Sequence, residues 1–131
     1  MNEPESGGIE NESSDGSCVL IVEDNPEFAF HLSHAVSILG RSWSVEVART
    51  AGQALALSED PGRLFRLALV DIGLPDQSGI DVVRVLTERH PDLPVLVVSI
   101  LSTEETVLSA IRAGARGYLL KDDSATIIRD A

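Results

Sequence analysis

Apolar positions along the chain gather into five short runs separated by polar or amphipathic stretches. Cys18-Val-Leu-Ile-Val22, Leu67-Ala-Leu-Val70 and Val95-Leu-Val-Val98 are continuously apolar, which suits strands buried on both faces. Val45-Glu-Val-Ala48 alternates and predicts a less buried edge strand, and Gly117-Tyr-Leu-Leu120 predicts a fifth. Helical spacing fills the intervals. From Pro26 onward, Phe28, Leu32, Ala35, Val36 and Leu39 recur at that spacing, with Pro26 in the first turn and Gly40 closing the helix. Thr50 caps a helix through Ala51, Ala54 and Leu55 that stops before Pro61. Gly79 to about His90 forms a third helix with Ile80, Val83 and Leu86 inward. Ser102-Thr-Glu-Glu105 reads as a capping box for a fourth, which carries Val107, Ala110 and Ile111 and ends at Gly114. Ser124 caps a last helix of which only Ala125 to Ala131 are present.

Strands alternating with helices through short loops predict an α/β fold, a parallel sheet covered on both faces with right-handed crossovers. The 131 residues suffice for one domain. Residues 1–17 are rich in Gly, Ser, Glu and Asn and offer little to bury, so they predict a flexible acidic extension ahead of a domain at 18–131. The net charge of -11, five of its acids in that extension (Glu3, Glu5, Glu10, Glu12, Asp15), argues against direct contact with nucleic acid, because phosphate neutralisation needs a basic surface. No secretory signal is evident and no apolar run approaches the roughly 18 residues of a membrane span, so a soluble, cytoplasmic protein is expected. Cys18, inside a strand, reads as a buried core thiol. Trp43, Phe28, Phe30 and Phe65 read as core or partly buried. His31 and His34 lie one helical turn apart but lack a third ligand, and read as solvated or packed.

Chemistry collects at the strand ends. In a parallel sheet all strand C-termini share one edge, so Glu23, Asp24, Asp71, Ser99 and Lys121 converge there. Asp71 ends an apolar run and opens a turn rich in Pro and Gly, and Lys121 is the only lysine in the chain. Three carboxylates in one place repel, and a divalent cation holds them ionised; an all-oxygen donor set favours magnesium. Beside such a cation Asp71 can attack a phosphoryl group in line and form an acyl phosphate, with Lys121 and the Ser99 hydroxyl each on a phosphoryl oxygen. Alone, Asp71 would be a turn-shaping carboxylate and Lys121 a surface amine. Their joint placement favours the chemical reading. A phosphatase with an aspartyl nucleophile would want a second carboxylate two residues on, where Gly73 stands.

These residues give the chain its resemblance to the receiver domain of bacterial two-component response regulators. The likeness rests on Glu23-Asp24, on Asp71 with Leu74-Pro-Asp-Gln-Ser-Gly-Ile-Asp81, on Ser99, and on Gly114-Ala-Arg-Gly-Tyr-Leu-Leu-Lys121, and covers about residues 18 to 131. Gly117-Tyr-Leu-Leu-Lys-Asp-Asp123 resembles the NarL/FixJ-type receivers, whose regulators carry a C-terminal helix-turn-helix output domain that these residues do not include. The resemblance implies a flavodoxin-like (CheY-like) doubly wound sheet of five parallel strands in the order 2-1-3-4-5, the last helix cut short. It implies that a sensor histidine kinase or phosphotransfer protein donates a phosphoryl group to Asp71. The implied cofactor is Mg2+ or Mn2+, held by Asp24 and Asp71, by Glu23 through water, and by the Gly73 backbone carbonyl. Ser99 and Tyr118 are the implied switch pair, read on the face of the fourth helix, fifth strand and last helix, through which a homodimer is also implied. Ile100, where the family usually has a small residue, is expected to restrict access to the pocket. The alternative reading is a receiver-like interaction or dimerisation module that works without phosphorylation.

Overall fold

Strands and helices alternate as the apolar pattern predicts. The structure, a computed structural model, describes residues 17–38, 42–101 and 103–121. Its elements are β1 (Ser17–Val22), α1 (Pro26–Ile38), β2 (Ser44–Ala48), α2 (Ala51–Ser58), β3 (Leu64–Asp71), α3 (Gly79–Arg89), β4 (Val95–Ser99), α4 (Glu104–Ala113) and β5 (Gly117–Leu120). All four strand pairings are parallel, in the order β2-β1-β3-β4-β5. This is the doubly wound order that the resemblance implies.

Side chains alternate across a strand, so each buried strand feeds two cores. Leu20, Val22, Ala68, Val70, Val95 and Val97 pack on one face with residues of α2, α3 and α4, among them Ala51, Ala54, Val82, Val83, Leu86, Ala110 and Ala113. Val19, Ile21, Leu69 and Val98 pack on the other with Leu32 and Val36 of α1. Double-sided burial is why these strands read as continuous apolar runs. β2, at the sheet edge, is only partly buried, as its alternation predicts.

Helix ends follow local chemistry. Asn25 Oδ1 accepts from Glu27 N at 2.9 Å and Phe28 N at 3.1 Å and caps α1. Thr50 caps α2 by accepting from Gln53 N at 3.0 Å. α4 ends at Gly114, whose φ of 117° is left-handed, and its Ala113 carbonyl accepts from Thr87 Oγ1 of α3 at 2.8 Å.

Several expectations need correction. β1 begins at Ser17, a buried residue assigned above to the extension, and β3 begins three residues before Leu67. The cap of α4 is Thr103, which accepts from Thr106 N at 3.2 Å, one residue later than the predicted box. Phe30 is 67% exposed rather than packed, and Ile111 is also exposed. Residues 1–16, Leu39, Gly40, Ser102 and Ser124 with the last helix lie outside the described residues. Among the described residues no helix is long and apolar enough to cross a membrane.

Candidate functional site

The alternation that sorts the two cores also sorts the polar strand ends. Val19 and Ile21 lead to Glu23, Leu69 leads to Asp71 and Leu119 leads to Lys121, so these three polar residues continue the α1 face. Ser99 and Tyr118 instead share the face of Val97 with α3 and α4. Register brings the ends together: Asp71 pairs with Val98, Ser99 pairs with Leu120, and Lys121 N donates to Ser99 O at 2.8 Å.

Glu23, Asp24 and Asp71 each place a carboxylate oxygen within 4.8 Å of the other two. Glu23 is fully buried and Asp71 nearly so, whereas Asp24 opens to solvent. Lys121 Nζ bridges the buried pair, 3.1 Å from Glu23 Oε2 and 3.3 Å from Asp71 Oδ2, and lies over the Phe28 ring at 4.9 Å. Burial raises the Glu23 carboxyl above its ordinary value. The Asn25 N–H and Lys121 oppose that rise, and the charge of Asp71 adds to it. For Lys121, burial pulls downward, but the hydrogen bond to Glu23 and the charges of Asp71 and Glu23 outweigh it and leave the ammonium raised.

Glu23 Oε1 is the odd atom of the cluster. It is buried, and among the described residues its partner is the Lys121 ammonium at 3.0 Å, an ion pair outside hydrogen-bonding geometry. A buried carboxylate oxygen is costly unless charge compensates it, and here the Lys121 ammonium does so. Three carboxylates gathered within 4.8 Å offer the oxygen donors that fit a hard divalent cation of the magnesium type.

The remaining predicted residues sit around this cluster. Gly73 N donates to Asp71 Oδ1 at 3.3 Å, and Gly73 forms an isolated antiparallel bridge with Ser78. Ser99 is buried, and its Oγ accepts from Leu101 N at 3.0 Å. Tyr118 is half-buried, and its hydroxyl donates to Leu101 O at 2.6 Å. Ile100 is 73% exposed beside Ser99. His31 and His34 are exposed and contact Phe30, away from the cluster, with centroid distances of 6.0 and 6.4 Å.

Four further participants escape the sequence pattern. Asn25 donates its N–H to Glu23 Oε2 at 3.0 Å while capping α1, and Asn before Pro at a helix start is a signal that a cap rule finds. Phe28 reads as core or partly buried, and its contact with Lys121 has no sequence signature. Leu101 joins Ser99 to Tyr118 through backbone atoms, which no side-chain pattern reports. Asp76 reaches α2 from the turn after Asp71, accepting from Ala51 N and Gly52 N.

Residues 19–131 match the response regulator receiver domain. The photosynthetic apparatus regulatory protein RegA of Rhodovulum sulfidophilum is 33% identical over 124 residues, 93% of this chain and 64% of that protein. DevR/DosR of Mycobacterium tuberculosis, a DNA-binding transcriptional activator, is 39% identical over 88 residues, 66% of this chain and 41% of that protein. The chain thus spans less than two thirds of either relative. A response regulator protein from Burkholderia pseudomallei, solved with a phosphorylated aspartic acid, a calcium ion and citrate, superposes with a TM-score of 0.76 at 28% identity, over 86% of this chain and 64% of that one. The family match covers most of the chain, and the parallel sheet found here is the fold it requires, so the chain belongs to the response regulator receiver domains of two-component systems.

Proposed function

We propose that Asp71 accepts a phosphoryl group from a sensor histidine kinase or phosphotransfer protein in the cytoplasm, with Mg2+ in the carboxylate cluster. The observation that carries this reading is the acidic trio within 4.8 Å, set beside the chain's only lysine. Glu23, Asp24 and Asp71 would hold the ion, with the Gly73 carbonyl. Once bound it supplies charge neutralisation of the phosphoryl oxygens. An Asp71 carboxylate oxygen attacks phosphorus as the phosphorus–nitrogen bond of the donor phosphohistidine breaks. The imidazole nitrogen keeps that electron pair and takes up a proton. Lys121 exchanges its carboxylate partners for a phosphoryl oxygen. The phosphorylated aspartic acid and calcium ion of the Burkholderia pseudomallei protein support the same chemistry.

The switch has a physical route through Leu101. Ser99 Oγ holds its N–H and the Tyr118 hydroxyl holds its carbonyl. A Ser99 hydroxyl turned toward a phosphoryl oxygen gives up Leu101 N, which frees the loop on which the Tyr118 ring rests and lets that ring turn inward. The readout surface is the α4 and β5 side, where Leu101, Leu108, Ile111 and Leu120 are exposed apolar residues, and a homodimer or an output domain would dock there. Transcriptional output, as named for DevR/DosR, is then the task of residues beyond this receiver, since the chain itself is strongly acidic. Ile100 is 73% exposed next to Ser99, and on this reading its bulk limits entry of small donors and water.

The test is intact-protein mass after incubation with Mg2+ and phosphoramidate, beside Asp71→Asn and a magnesium-free control. A labile gain of one phosphoryl group that needs both Asp71 and Mg2+ is expected. No gain with phosphoramidate or with a phosphorylated histidine kinase would move the assignment to a phosphorylation-independent interaction module.

A further inference from the structure

Asp76 stands in the turn that follows Asp71. That turn is closed at its base: Gly73 bridges Ser78, Gly79 N donates to Ile72 O at 2.8 Å, and Leu74 N donates to Ile72 O at 3.0 Å. The closure is tight, since a Cβ at Gly79 would lie 2.0 Å from Asp71 O. From within the loop the Asp76 carboxylate reaches a different element. Oδ1 accepts from Ala51 N at 2.9 Å and Oδ2 from Gly52 N at 3.0 Å, and Oδ1 also accepts from Gln77 N at 3.0 Å. Ala51 and Gly52 open α2, so their N–H groups have no partner inside the helix. The next one, Gln53 N, goes to Thr50 Oγ1. The α2 N-terminus is therefore capped twice, once by its own Thr50 and once by a carboxylate from the acceptor loop. The Ala51 and Gly52 N–H groups hold the Asp76 carboxyl below its ordinary value, as ionised acceptors at a helix start are.

Gly73, whose carbonyl is assigned to the ion, thus forms part of the closed base of the loop that Asp76 ties to α2. We infer that Asp76 is a positioning residue for the Mg2+ site, holding the Asp71–Gly73 segment against α2; this rests on the metal-dependent acceptor reading above. Mg2+ demands near-ideal octahedral geometry and tolerates little drift of a ligand. Groups that fix metal ligands from behind govern affinity by about 10- to 100-fold. Helix capping alone predicts something different: lost stability without lost metal affinity.

The experiment is Mg2+ titration by calorimetry, paired with urea unfolding, on the wild-type chain, Asp76→Ala, Asp76→Asn and Thr50→Ala. Asp76→Ala is expected to bind Mg2+ about ten-fold more weakly. Asp76→Asn keeps one acceptor oxygen and is expected to fall between Asp76→Ala and wild type, which preserves the test if Asp76→Ala folds poorly. Thr50→Ala loses the other α2 cap without touching the acceptor loop, so it is expected to lose stability while keeping the wild-type Kd. Wild-type affinity in both Asp76 variants overturns the inference, as does an equal loss in Thr50→Ala, which would make the effect one of helix capping. A wild-type chain that binds no Mg2+ overturns the acceptor reading itself and this inference with it.

Discussion

Replacing Lys121 with Met keeps most of the aliphatic stem but removes an ammonium 3.0 Å from Glu23 Oε1, 3.3 Å from Asp71 Oδ2 and 4.9 Å from the Phe28 ring centroid. At an effective dielectric of about 20 each contact is worth about 5 kcal/mol of attraction before the cost of burying the charges. Breaking a buried ion pair from one side costs about 3–5 kcal/mol. The Lys121 side chain keeps 17% of its exposure, which places the expected loss at the lower end, about 3 kcal/mol at pH 8. The pH dependence has a definite sign. Glu23 already has a folded pKa above its ordinary 4.5, and without Lys121 it rises further. A carboxyl raised on folding contributes stability that is whole below the unfolded value and is lost as pH climbs through the folded one. The raised Lys121 ammonium contributes fully below 10.5, so the wild type keeps that share across the assay range. The variant's deficit should therefore shrink from pH 8 toward pH 5, as Glu23 takes up a proton. Urea unfolding followed by Trp43 fluorescence, without Mg2+, measures it. A deficit below about 1 kcal/mol at pH 8, the range of an exposed pair, or one that does not change with pH, would refute the reasoning.

Three further outcomes follow from the same geometry. Because burial raises Glu23 above the ordinary carboxyl range, protons compete with Mg2+ as pH falls, so the Kd from calorimetry should weaken from about pH 8 to about pH 5; a constant Kd would remove Glu23 from the site. Gly114→Ala puts a Cβ 2.7 Å from Thr87 Oγ1 at a φ of +117°, and urea unfolding should show a loss of more than about 1 kcal/mol. Ile100→Ala, at a 73% exposed position, should leave stability within about 0.5 kcal/mol while raising the initial rate of labelling by phosphoramidate; an unchanged rate would take Ile100 away from the pocket mouth.

Strand runs and their ends were the most legible features of the chain, because a strand buried on both faces must be apolar throughout. Alternation then carries Glu23, Asp71 and Lys121 to one face, although they lie far apart in sequence. Phe30 shows where residue type misleads. Its aromatic ring points to a core, but Ala29, Leu32, Ala35 and Val36 fix the buried stripe of α1, and helical phase then turns Phe30 to solvent. Ser102 and Thr103 are adjacent hydroxyls with Glu105 and Thr106 three residues on, so the local pattern allows two caps; the Thr103 hydroxyl accepts from Thr106 N and caps α4. The Asp76 tie joins loop and helix across 25 residues of sequence. No periodicity encodes such a contact; it exists only once β2 and β3 lie on either side of β1.

The most direct measurement is chemical location of the phosphoryl group. An acyl phosphate is reduced by borohydride to the alcohol, so an aspartyl phosphate becomes homoserine and peptide sequencing by mass spectrometry finds its position. After treatment with phosphoramidate and Mg2+, homoserine is expected at position 71 alone and absent when Mg2+ is withheld. Homoserine at Asp24 or Asp76 instead, or at no position after a histidine-kinase donor has also been tried, would contradict the account.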